Sequence, residues 1–336
     1  MKPLIVVSRE VYTRGTDEFA RVRSECGDAF DWLLYDDLNS VASDDIPRII
    51  GAYMSADILE LSSKTELTKR MADFCDLMLR CGNLQFMQVP SAGLDRPIYA
   101  ELNARGVQIW DARGIAGSVV ALSAFTGMLV LARNMHILFR KQYEREWFPV
   151  RFGPLEPRGI EDNTAVIVGT GSIGLEIARL CKTLGMTTIG VRRNAGAAAP
   201  NFDRIVTLDQ KDEVLAQADW VFLACPLTDE TFHLMDADAF SKMNPHAGLI
   251  NVARGPVVDE NALVDALKSE QIRCAYLDVF EIEPLPRTSP LWDMHNVILT
   301  PHAAGDAQTR YGKLDARFRE NLLAWHSKDV AGSARS

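Results

Sequence analysis

The chain has no cysteine pattern that reads as a disulfide or zinc framework. Its six cysteines, Cys26, Cys75, Cys81, Cys181, Cys225 and Cys274, are scattered through 336 residues without a C-x-x-C pair, and none clusters with histidine at zinc-ligand spacing. No metal site is expected, and reduced thiols in the cytoplasm are the simplest reading. A surplus of basic charge is also missing. With 36 Lys and Arg against 45 Asp and Glu, the net charge is −9, which argues against a nucleic-acid partner. No internal repeat or low-complexity tract interrupts the sequence. The opening Lys2-Pro3-Leu4-Ile5-Val6-Val7 is too short for the apolar region of a signal peptide and runs straight into Ser8 and Arg9, so it reads as a first strand.

Long apolar runs are absent, with one exception. Ile115 to Ala132 carries no charge and reaches the length at which a membrane helix has to be weighed. Gly117, Ser118, Ser123, Thr126 and Gly127 dilute it, and amphipathic sequence flanks it on both sides. The expectation is a helix buried on all faces, between domains or subunits, with no membrane partner.

What is present is ordinary globular composition, 47% apolar and 24% charged, in a chain longer than one core usually holds. Two domains follow. In the first hundred residues, Leu4–Val7, Trp32–Tyr35, Ile49–Tyr53, Leu84–Val89 and Val107–Trp110 are short β-branched runs separated by helical stretches, the alternation of an α/β fold with a parallel sheet. A basic and aromatic stretch, Arg140 to Phe152, leads into the Pro- and Gly-punctuated segment Gly153 to Gly159, which marks a boundary. Six more strand candidates follow: Ala165–Val168, Thr187–Val191, Trp220–Ala224, Gly248–Val252, Ala275–Val279 and Val297–Leu299. They suit a doubly wound nucleotide fold. Tyr311, Leu314, Phe318, Leu322 and Trp325 then recur at helical spacing, weakened at Gly312.

Chemistry enters at Gly169-Thr170-Gly171-Ser172-Ile173-Gly174, a G-x-G-x-x-G that follows a strand and opens a helix. Glycines there allow a tight turn and close approach to a pyrophosphate, while the helix N-terminus offers N–H groups and a positive dipole end. Val191 stands where a ribose-binding acid is usual, about twenty residues past this loop, and Arg192 and Arg193 follow it. An acid there repels a 2′-phosphate and arginines attract one, so the cofactor is expected to be NADP, with NADPH preferred over NADH.

Three further motifs lie downstream: Asn251-Val252-Ala253-Arg254-Gly255, Leu277-Asp278-Val279-Phe280-Glu281-Ile282-Glu283-Pro284, and Leu299-Thr300-Pro301-His302-Ala303-Ala304-Gly305. Each sets a polar residue just past a strand, where open α/β sheets bind ligands. With the glycine loop and these motifs in order over nearly the whole chain, the sequence resembles the D-isomer-specific 2-hydroxyacid dehydrogenases, closest to the glyoxylate/hydroxypyruvate reductases. The resemblance implies two Rossmann-like/flavodoxin-like α/β domains with parallel sheets. A nucleotide-binding domain, 115–304, carries an interdomain and dimerisation helix over 115–140 and is inserted into a substrate domain of 1–114 and 305–336.

The resemblance also implies a catalytic set of Arg254, Glu283 and His302. Carbonyl reduction leaves negative charge on oxygen, so a protonated imidazole suits it as general acid, a paired carboxylate favours that imidazolium, and a guanidinium grips the substrate carboxylate in a planar fork. Glu281 is the other candidate for the histidine's partner; the family pattern selects Glu283, immediately before the proline. Cys225, Pro226 and Asp278 join Gly169, Gly171, Ser172, Ile173, Gly174, Arg192 and Arg193 as expected cofactor contacts. The loop Pro90 to Asp95 resembles the family loop that receives the substrate carboxylate, with Ala92 and Gly93 as donors, and Tyr53, Met54 and Ser55 are candidates for facing the substrate.

Two departures from the family pattern bear on substrate identity. Ala121-Leu122-Ser123 stands where many members have an Ala-Glu-His-like stretch, so polar contacts are expected to be lost there, and Arg96 to Tyr99 lacks the usual second acid. The expected partners are a small 2-oxo acid and a second copy of the chain, meeting through the charge-free helix, with Trp147 reaching across. Phosphoglycerate dehydrogenase is an alternative within the fold. So is a dinucleotide-sensing, corepressor-like scaffold without turnover, and formate dehydrogenase is disfavoured because it uses an amide where this chain has Glu283.

Overall fold

The computed structural model describes residues 1–333, apart from Leu61, Ser63, Lys64, Thr65, Phe152, Pro154, Ala195 and Ala197. Phe152 and Pro154 of the boundary segment therefore lie outside the described residues. Among the described residues the strands are β1 (Leu4–Ser8), β2 (Asp31–Tyr35), β3 (Ile49–Tyr53), β4 (Phe86–Gln88), β5 (Gln108–Trp110), β6 (Thr164–Val168), β7 (Thr187–Arg192), β8 (Arg204–Thr207), β9 (Trp220–Leu223), β10 (Gly248–Asn251), β11 (Cys274–Leu277) and β12 (Val297–Leu299). They form a sheet of order β2-β1-β3-β4-β5 and another of order β12-β11-β10-β9-β6-β7-β8. Every strand pairing is parallel. The chain divides into two compact units: Met1–Ile115 with Ala307–Ser336, and Ala116–Asp306.

A parallel sheet covered on both faces needs strands that are apolar on both sides, and these strands are. In β1, Leu4 and Val6 join one buried cluster while Ile5 and Val7 join another. In β6, Val166 and Val168 face one cluster and Ala165 and Ile167 the other. The helix Gln308–Ser333 brings Leu314, Phe318 and Leu322 into the cluster that holds Ile5 and Val7, so the chain's C-terminal part completes the first unit. Gly312 does not interrupt it.

Two expectations are corrected. The second sheet has a seventh strand, β8, at its edge; only Val206 of Arg204–Thr207 is buried, and an edge strand that short carries almost no apolar signal. The helix expected over 115–140 is two helices, Gly117–Ala132 and Met135–Tyr143, bent by 71°. Asn134 makes the break: it has φ 52°, in the left-handed region, and its Nδ2 donates to the Leu155 carbonyl at 2.9 Å. No single helix among the described residues is long and apolar enough to cross a membrane. Within the single chain, Gly117–Ala132 keeps one face exposed. Ala121, Ala124, Phe125, Met128 and Leu131 pack with Trp220 and Phe222, whereas Ser118, Leu122 and Thr126 form an exposed stripe one turn apart.

Candidate active site

β10, β11 and β12 are neighbours in register, Asn251 beside Leu277 and Leu277 beside Leu299, so whatever follows these strand ends emerges at one edge of the sheet. Arg254, Glu283 and His302 follow them. Asn251, fully buried, shapes the arginine turn: its Oδ1 accepts the Ala253 N–H at 3.1 Å and its Nδ2 donates to the Arg254 carbonyl at 3.3 Å. Gly255 lets that turn lie against the next motif, since a Cβ there would sit 1.9 Å from the Phe280 carbonyl carbon and oxygen. Glu283 is fixed at both oxygens. Oε1 accepts the Phe280 N–H at 3.1 Å, and Oε2 accepts from His302 Nδ1 at 2.8 Å. An ionised carboxylate only accepts, so Nδ1 carries a proton and Nε2 is the nitrogen left to gain or lose one.

His302 has φ 53°, a left-handed conformation that costs a non-glycine residue about 1–3 kcal/mol and persists only where its surroundings impose it. Asp278 imposes it. Its carbonyl accepts the His302 N–H at 2.8 Å, and its carboxylate, 2% exposed, accepts Thr300 Oγ1 at 2.6 Å and the amides of Ala303 and Ala304 at 2.8 and 3.0 Å. Burial raises the Asp278 carboxyl above its ordinary value, against the pull of those donors and of nearby His302. Expected among the cofactor contacts, Asp278 has its carboxylate turned into the histidine loop. Glu281 serves a different histidine, accepting from His233 Nε2 and from the Glu260 N–H, both at 3.1 Å.

The glycine loop lies where the strand order reverses, between β6 and β9, the place at which doubly wound sheets bind dinucleotides. Gly169 has φ 101°, and a Cβ on it would meet the Ala224 carbonyl at 2.6 Å; one on Gly174 would meet the Gly169 carbonyl at 1.9 Å. Gly171 is different, with nothing within 4 Å of its missing Cβ. Gly171 caps the helix Ser172–Thr183 without a side-chain bond, so first-turn N–H groups that a helix cannot satisfy internally border open space. The cradle fits a pyrophosphate. Ser172 is exposed there, and Ile173 is half-buried in the core beneath. The Cys225 backbone lies against Gly169, its thiol pushed up to about 11 by burial, and Pro226 is exposed. On the other side, Gly169 N–H donates to the Val191 carbonyl at 2.8 Å, which sets Arg192 and Arg193 beside the turn. Arg193 Nε donates to Glu230 Oε2 at 2.6 Å.

Residues 125–304 match the family model of the D-isomer specific 2-hydroxyacid dehydrogenase NAD-binding domain. The chain belongs to this family. Glyoxylate/hydroxypyruvate reductase B of Serratia proteamaculans is 35% identical over 237 residues, 70% of this chain and 72% of that protein. A D-isomer specific 2-hydroxyacid dehydrogenase family protein from Aeromonas salmonicida superposes with a TM-score of 0.76 at 29% identity, covering 97% of this chain and 96% of that one. The NADPH-dependent glyoxylate/hydroxypyruvate reductase of Sinorhizobium meliloti, solved with NADP and malonate, superposes at 0.71 with 27% identity, covering 97% and 94%. As a 2-hydroxyacid dehydrogenase the chain is an NAD(P)-dependent oxidoreductase.

In the first unit of this dehydrogenase, β4 runs into the loop Pro90 to Asp95, where Ala92 is exposed and Gly93 half-buried. Two anchors that sequence reasoning missed hold its base. Gln88, fully buried, donates from Nε2 to the carbonyls of Val89, Trp110 and Asp111 at 3.0, 2.8 and 3.2 Å and accepts from Asn321 Nδ2 at 2.9 Å. Arg310 donates to the Pro90 carbonyl at 2.6 Å. The available signal was an amide inside the apolar run Phe86-Met87-Gln88-Val89. Tyr53, Met54 and Ser55, offered as facing the substrate, are all fully buried; Tyr53 stacks on Phe318 and donates to Asp315 Oδ1 at 2.7 Å. In the second unit, Leu122 of Ala121-Leu122-Ser123 is exposed and Ser123 makes a polar contact of its own. Ser123 Oγ donates to the Ala304 carbonyl at 3.0 Å.

Proposed function

We propose that this dehydrogenase reduces small 2-oxo acids with NADPH, glyoxylate and hydroxypyruvate foremost, and releases the D-2-hydroxy acid where the product is chiral. The observation that carries the reading is the Glu283–His302 contact of 2.8 Å at the sheet edge that also bears Arg254. The glycine cradle would hold the pyrophosphate of the cofactor, whose nicotinamide would supply the hydride. His302 Nε2 gives its proton to the carbonyl oxygen as charge develops there, Glu283 holds the ring through Nδ1, and Arg254 grips the carboxylate. The substrates are supported by the names of the Serratia and Sinorhizobium relatives.

Arg192 and Arg193 support the choice of NADPH, as does the NADP held by the Sinorhizobium relative. Glu230 occupies one edge of Arg193, but a pair this exposed is worth little in water, so a 2′-phosphate can displace it. Oxidation of NADPH and NADH with glyoxylate, hydroxypyruvate and phosphohydroxypyruvate tests the whole reading. In an Arg192→Ala, Arg193→Ala double variant, kcat/KM for NADPH should fall by about tenfold or more, the loss of charge-assisted contacts, while that for NADH stays put. Equal efficiency with both nucleotides in the wild type would refute the preference. No turnover with any acid would favour the nucleotide-sensing scaffold.

We further propose a cytoplasmic homodimer. The six cysteines are all buried and unpaired, which suits a reducing compartment. Leu122, 56% exposed on Gly117–Ala132, and the exposed aromatics Phe139, Tyr143 and Trp147 after it are large apolar side chains that a second subunit would cover. Sedimentation velocity at micromolar concentration should give a dimer, and Leu122→Glu should weaken it; a wild-type monomer at that concentration sinks the proposal.

A further inference from the structure

We propose that Tyr276 and Thr300 are positioning residues for His302, a relay of two hydroxyls that fixes the catalytic loop through Asp278. Tyr276, on β11, is 5% exposed, and its hydroxyl lies 2.9 Å from Thr300 Oγ1. Thr300 has one hydroxyl proton, and it goes to Asp278 Oδ1 at 2.6 Å, since an ionised carboxylate only accepts. Tyr276 is therefore the donor to Thr300. Burial raises its phenol above the ordinary value, so it keeps that proton throughout an assay range near neutrality.

Asp278 passes the constraint on. Its carboxylate accepts the amides of Ala303 and Ala304, and its carbonyl accepts the amide of His302, the residue held at φ 53°. Donation runs from Tyr276 to Thr300 to Asp278, and on Asp278 it meets the N–H groups donated by the residues at and after the histidine. Room for the tyrosine comes from the helix Gly117–Ala132, where a Cβ on Gly127 would stand 2.5 Å from the Tyr276 ring. Four residues earlier, Ser123 binds the Ala304 carbonyl directly. One helix thus restrains the histidine loop twice, once by contact and once through the relay.

The inference rests on His302 as proton donor, so the test includes a readout that does not need turnover. Tyr276→Phe keeps the ring against Gly127 and removes one proton. Its kcat for 2-oxo acid reduction should fall about three- to tenfold, with KM for the acid and NADPH binding, followed by nucleotide fluorescence, unchanged. Thr300→Val should lower kcat by about tenfold or more, and Thr300→Ser should restore it. In parallel, the downfield Nδ1 proton of His302, assigned by its absence in His302→Ala, should shift or broaden in Tyr276→Phe and Thr300→Val and return in Thr300→Ser. A fall in thermal stability with kcat and this resonance unmoved overturns the proposal, leaving the relay a packing feature. If Thr300→Val does not fold, Tyr276→Phe decides alone. A wild type without turnover refutes the proposed reaction instead, and the resonance still tests the relay.

Discussion

His302→Ala should lower the rate of 2-oxo acid reduction by about 10²-fold or more at every pH, because a positioned general acid is worth roughly 10²- to 10⁴-fold and no neighbour can replace it. Glu281 is engaged with His233 and Glu260. Glu283→Gln should cost less, about tenfold or more, because an amide can still bond Nδ1 but the charge-assisted hydrogen bond, worth about 1.5–3 kcal/mol, is lost. Glu281→Gln is the control and should leave the rate in place. The measurement is kcat/KM for glyoxylate in the wild type and the three variants. An unchanged kcat/KM in Glu283→Gln, or a fall in Glu281→Gln, breaks the assignment of the pair.

Arg254→Lys should cost about ten- to a hundredfold in kcat/KM, although the charge is kept. A hydrogen bond to a charged group contributes about 1.5–3 kcal/mol, and an ammonium cannot offer two parallel N–H groups to a carboxylate. Both substrate affinity and turnover should fall, since the fork holds the acid in the ground state and aims its carbonyl in the transition state. Thermal stability should hardly change, because Asn251 and Gly255 shape the turn through backbone contacts. A lysine variant with wild-type kcat/KM would falsify the role of the guanidinium.

How far the sequence could be read varies with the kind of contact involved. Strands buried on both faces were legible because burial demands apolar residues on both sides: β3 has the expected limits, and β1, β6, β9 and β10 differ by one residue. β8 was hidden because only Val206 of its four residues is buried, which leaves no apolar run to read. The break at Asn134 was hidden too. Nothing in Ala132-Arg133-Asn134-Met135 forbids a helix, and the turn is fixed by a hydrogen bond from the Asn134 side-chain amide to the Leu155 carbonyl, twenty-one residues away.

The active-site motifs divide along the same line. The glycine loop stood out by residue type and by its place after a strand, and the family motifs singled out Arg254, Glu283 and His302. Their supports were not legible in that role: Tyr276 and Thr300 act by single hydrogen bonds, which many residues make anywhere, and Asp278 was expected at the cofactor. By itself the sequence determined the two α/β units and the dinucleotide cradle, because hydrophobic periodicity and glycine-only turns are local properties. Only the tertiary structure decided which carboxylate holds His302, which residues impose its left-handed backbone, and that Tyr53 belongs to the core, because each depends on groups brought together from distant parts of the chain.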